Sequence, residues 1–96
     1  MDEDVRKELE SLKCMVVAWK ESYVKRAYEE GEGCAYLLRE YVAEIDEMVY
    51  PYVYKIFKLG GMEREDLDSF MDFCQAQAVE FLEILNEMHQ KEEKHA

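Results

Sequence analysis

The chain has 96 residues, 23 acidic and 12 basic, giving a formal charge of −11. A surface so acidic repels phosphate backbones and anionic lipid, which excludes nucleic acid and membrane as default partners. Hydrophobic residues make up 49% of the chain, too rich for a disordered acidic tail and enough for one small all-α domain, residues 1–96.

A short chain this apolar completes its core by self-association, so a homo-oligomer is expected, either a dimer or a tetramer. The acidic start, Met1 to Asp4, lacks an apolar signal region, and no apolar run reaches the length of a membrane span. Cys14, Cys34 and Cys74 are isolated, with no Cys-x-x-Cys pair. They read as free thiols, and the expected location is cytoplasmic.

Glycines at 31, 33, 60 and 61 divide the chain into three segments of helical period. The first, about 4–30, carries Val5, Leu9, Leu12, Val16, Trp19 and Tyr23 at steps of four and three, an apolar stripe. Within it, Cys14 to Trp19 is apolar all the way round, as in a helix covered on every side. The second segment, about 34–58, has Leu38, Tyr41, Val42, Ile45, Met48, Val49 and Tyr52 as its stripe. Pro51 removes an amide donor and crowds the preceding turn, so a kink or break is expected near 51, with 52–58 a short further helix. Gly60-Gly61 ends this segment beside Lys58, a cation suited to a helix C-terminus. The third, about 63–91, opens with Glu63, Glu65 and Asp66, which complement a helix N-terminus. Its stripe is Leu67, Phe70, Met71, Cys74, Ala78, Phe81, Leu82 and Leu85. Tyr36, Tyr50 and Tyr54 fall off the stripe and are candidates for lining a cleft.

Two acidic phrases stand out by placement: Glu44-Ile-Asp-Glu47 on the second helix and Glu65-Asp-Leu-Asp68 on the third. The acid-x-x-acid spacing also occurs at 29/32, 63/66 and 80/83, so spacing alone singles out nothing. Placement adds more. Glu40, Glu44 and Glu47 line one edge of the second stripe, and Glu65, Asp68 and Asp72 line an edge of the third. Antiparallel packing would let these lines face each other, and a hard cation such as Mg²⁺ would relieve their repulsion. Arg6, Lys13 and Lys20 run along the first stripe's edge, while Lys55, Lys58 and Arg64 flank the second turn.

An all-α chain with E-x-x-E on its second helix and E-x-x-D near the start of the next long one resembles the MazG-type nucleoside triphosphate pyrophosphatases. That resemblance implies an intertwined dimer or tetramer with a four-helix-type core. It also implies Mg²⁺ (or Mn²⁺) as cofactor and hydrolysis of a nucleoside triphosphate to monophosphate and pyrophosphate. Mapped onto this chain, Glu44, Glu47, Glu65 and Asp68 would hold metal, and Glu44 would orient the attacking water. Lys20 and Arg64 would meet substrate phosphates. Ala43 stands where the family usually has a second Glu, and Ser69-Phe-Met-Asp72 follows where it usually has Val-Leu, so Asp72 competes with Glu65 as the partner of Asp68. The rival reading is a non-catalytic helical oligomerisation or adaptor protein.

Overall fold

The computed structural model describes residues 1–31 and 34–95, with side chains to residue 90. Gly33, part of the first glycine cluster, lies outside the described residues. Every regular element among them is helical: α1 (Glu3–Glu30), α2 (Tyr36–Glu44), a π turn (Ile45–Val49), α3 (Tyr50–Lys58) and α4 (Arg64–His95). Because α2, the π turn and α3 run on without a gap, there are three long helical traverses. No described helix is long and apolar enough to cross a membrane.

The traverses form a rod of 54 × 18 × 17 Å. Cross-helix contacts fix their sense. Tyr52 bonds Glu8 and Tyr23 bonds Glu44, so the second traverse runs antiparallel to α1. Lys13 lies over Phe73 and Lys20 reaches Gln77 and Glu80, so α4 runs parallel to α1. The core follows the stripes of α1 and α4: Leu9, Val16, Tyr23 and Ala27 pack against Leu67, Phe70, Cys74, Phe81 and Leu85. At its centre Tyr23, Tyr41 and Phe81 form a ring cluster with centroids 5.5, 5.8 and 6.2 Å apart. Tyr41, wholly buried, keeps its hydroxyl satisfied by donating to the Val16 carbonyl at 2.8 Å.

The second traverse differs from the sequence expectation. Its buried side chains are Leu37, Tyr41, Ile45, Val49 and Val53, an unbroken step of four. Met48, Tyr52 and Val42, assigned to the stripe by an α period, are 65%, 45% and 37% exposed. In a pure α-helix, steps of four drift by about 40° each, so Val53 would lie about 160° round from Leu37. The π turn removes that conflict: the Tyr50 N–H bonds the Ile45 carbonyl, five residues back, so the turn holds an extra residue. Pro51 sits in the first turn of α3, where its missing N–H costs least. The expected break at 51 is thus a widened turn at 45–49, and the helix continues through it.

The turns are built from specific residues. The Gly31 N–H bonds the Ala27 carbonyl at φ 71° and ends α1. After α3, the Gly60 N–H bonds Phe57 and the Gly61 N–H bonds Ile56, with Gly60 at φ 83°. This is a Schellman closure, with Gly60 in the left-handed conformation. At the start of α4 the Glu63 N–H donates to the Asp66 carboxylate at 3.0 Å, half of a capping box.

Candidate functional site

The structure separates the expected site residues into three environments. Glu44 is the one expected metal ligand that is half-buried. It accepts a hydrogen bond from the Tyr23 hydroxyl at 3.0 Å and lines a pocket of about 160 Å³ with Trp19, Ser22, Tyr23 and Arg26. Burial, then the bond to Glu44 and the charge of Glu44, push the Tyr23 phenol up to about 12. Arg26 stacks over the Tyr23 ring and pairs with Glu40 at 3.7 Å and Glu30 at 3.9 Å. Trp19 lines this pocket and also packs against the core.

Glu47, Glu65, Asp68 and Asp72 are exposed. Among the described residues, no three His, Cys, Asp or Glu side chains are grouped so as to hold a metal ion. Mg²⁺ is commonly held by one or two carboxylates together with waters and substrate phosphates, and Glu44 is the one of these five carboxylates that lines a pocket. The two cations read as phosphate ligands are engaged elsewhere. Lys20 donates to Gln77 at 2.7 Å and to Glu80 at 2.5 Å, joining α1 to α4. Arg64 pairs with Asp68 at 3.5 Å, one turn along the same helix.

The third environment is an apolar groove of about 230 Å³ between α3 and α4. Tyr50, Pro51, Val53 and Tyr54 line it from α3, Leu67 and Met71 from α4, and Asp46 of the π turn completes the lining. Tyr50 and Tyr54 therefore line a cleft, as their position off the stripe suggested, whereas Tyr36 donates to Glu30 instead. Tyr50 is half-buried, and burial, then Cys74 and Asp46, push its phenol up to about 12. The groove exists because of the π turn. The turn brings Val53 under the core while its neighbours Tyr50 and Tyr54 flank the opening. In the π register the Asp46 carbonyl would take its hydrogen bond from Pro51, which has no N–H to give. The sequence reading gave Asp46 no role of its own and read Pro51 only as a helix breaker, not as part of a cleft. The available signal was the strict four-residue ladder ahead of a proline.

Further apolar side chains are uncovered along the rod. Val79 and Leu82 on α4 are 52% and 42% exposed, and helical spacing puts them with Val42 on the same seam as the groove. Cys14 and Ala18 lie exposed on the outer face of α1, within the segment that is apolar all the way round.

Comparison with family models, with curated proteins and with solved structures returns no match for this chain.

Proposed function

We propose that this chain is a non-catalytic helical interaction module and that the groove between α3 and α4 is its contact surface. The groove itself carries the reading: an apolar, aromatic-walled cleft, with exposed Val42, Val79 and Leu82 placed by helical spacing on the same side of their helices. Scattered exposed apolar residues are ordinary on a monomer, but a contiguous apolar cleft rimmed by charge is the mark of a docking site. A helical partner laid along the seam would cover it as a fourth helix. The test is a titration of isotopically labelled protein with a panel of amphipathic helical peptides of differing charge, followed by amide chemical shifts. Shifts centred on Tyr50, Tyr54 and Met71 support the module; a panel that leaves them all unmoved sinks it.

A second reading, a Mg²⁺-dependent nucleoside triphosphate pyrophosphohydrolase acting as a homo-oligomer, draws on the Glu44 pocket. There a half-buried carboxylate, an indole and a guanidinium lie together. Waters and the triphosphate itself would supply the remaining oxygen ligands to Mg²⁺. This reading requires millimolar Mg²⁺ or Mn²⁺ to raise the melting temperature, because a ligand that binds only the folded state must stabilise it. It also requires pyrophosphate release from at least one nucleoside triphosphate, lost in Glu44→Gln. An unchanged melting temperature and a blank nucleotide panel would eliminate it.

A further inference from the structure

We infer that the occupant of the α3–α4 groove is a cationic amphipathic helix from another protein, with apolar side chains on one face and lysine or arginine beside them. The inference rests on the interaction reading above and names its partner class.

Shape gives the apolar half of the argument. The groove is walled by Tyr54, Tyr50 and Met71, and Tyr54 presents nearly half its surface to solvent. From Met71 to Leu82 the seam runs about three turns of α4, room for the two turns over which a docked helix places anchors at i, i+3 or i+4, and i+7.

Charge gives the other half. Asp46 lines the groove, Glu47 follows it, and Asp68 and Asp72 flank Met71 on α4, all exposed. The cations of the rim sit toward the glycine turn, where Lys58 lies over Tyr54 at 4.9 Å and Arg64 is already paired with Asp68. Among the described residues neither Asp46 nor Asp72 has an ion-pair partner, so this acidic side carries uncompensated negative charge. Ammonium and guanidinium groups are donors only, and they match such a rim. A second copy of this chain would bring another −11 to the same place, and like charges across an interface suppress association.

The experiment uses the full chain and three labelled peptides of about fifteen residues with identical leucine spacing, the remaining positions being lysine, glutamine or glutamate. Binding is read by fluorescence anisotropy and by amide shifts. The lysine peptide is expected to bind with shifts at Tyr50, Tyr54 and Met71, more tightly at low salt, and at least about tenfold more tightly than the glutamate peptide. Tyr54→Ala, at an exposed position, should weaken it about tenfold. The triple variant Asp46→Asn, Asp68→Asn, Asp72→Asn should flatten the salt dependence; circular dichroism of both proteins checks that the fold is kept. Equal binding of all three peptides in the groove would overturn the cationic assignment and leave the interaction module standing. Self-association that Tyr54→Ala abolishes and the lysine peptide cannot displace would make the occupant a second copy, again overturning the assignment. Failure of every peptide to move the groove residues would overturn both readings.

Discussion

Tyr23 shows how much one side chain is asked to do: its ring packs on Tyr41 and Phe81, its face receives Arg26, and its hydroxyl donates to Glu44. Its ionisation is raised from about 10 to about 12, so the folded chain holds the phenolic proton more tightly than the unfolded chain. Stability is therefore whole below about pH 10 and falls as pH climbs from 10 toward 12, where the unfolded chain binds fewer protons. Denaturant melts across pH 8 to about 12 are expected to show this decline, with Tyr23→Phe giving a shallower slope in that window. At neutral pH the same substitution should cost about 1 kcal/mol for the lost hydrogen bond. Phe81, wholly buried in the ring cluster, is expected to cost about 3–5 kcal/mol as Phe81→Ala, read as a lower denaturation midpoint at unchanged slope. Stripe positions such as Val16, Tyr23 and Phe81 were legible in the sequence because a helical period fixes which side faces inward. The role of Lys20 was not. Its partners Gln77 and Glu80 lie about sixty positions away, and no local pattern connects a lysine to a carboxylate on another helix.

The second traverse is the element in which pattern reading and structure part. Its residues Leu37, Tyr41, Ile45, Val49 and Val53 keep one face only because a turn is widened. An assumed constant α period put Leu38 and Tyr52 in the stripe in place of the buried Leu37 and Val53. Proline was read as the site of a break, whereas the disturbance falls in the turn before it, where the extra residue can be absorbed without losing the helix. A direct test is to delete Met48, which is exposed. The buried steps then become four, four, three and four, and the drift falls to about 60°, within the width of an ordinary apolar stripe. The deletion is expected to yield a regular α-helix and a stability within about 1 kcal/mol of the parent, judged by denaturant melts and by helical amide shifts through 45–50. Deleting exposed Ala18 from α1 is the control. No widened turn is present there to absorb the change, so every later side chain rotates by about 100° and the fold should be lost. Survival of the Ala18 deletion alongside loss of the Met48 deletion would refute this account.

Over the whole molecule, three helices and two glycine turns were legible, because period, caps and breakers agree along most of the chain. The expected acidic site was less so. Lines of carboxylates drawn on helical wheels show which edge each occupies but not how far apart packed helices hold them, and the structure leaves Glu47, Glu65, Asp68 and Asp72 on open surface. The shape is extended for the chain length. The Cα radius of gyration is 15.8 Å, against about 12.5 Å for a compact domain of this size. Solution scattering from a dilute sample should return a value near 16 Å with a rod-like distance distribution, and a shift toward a larger or rounder particle with concentration would reveal self-association. The number of traverses has one more consequence. Because the chain crosses the rod an odd number of times, Asp2 lies near the Gly60–Gly61 turn while the last turns of α4 point out of the far end. A probe attached at Asp2 would therefore be separated from one on the last turns of α4 by most of the 54 Å length.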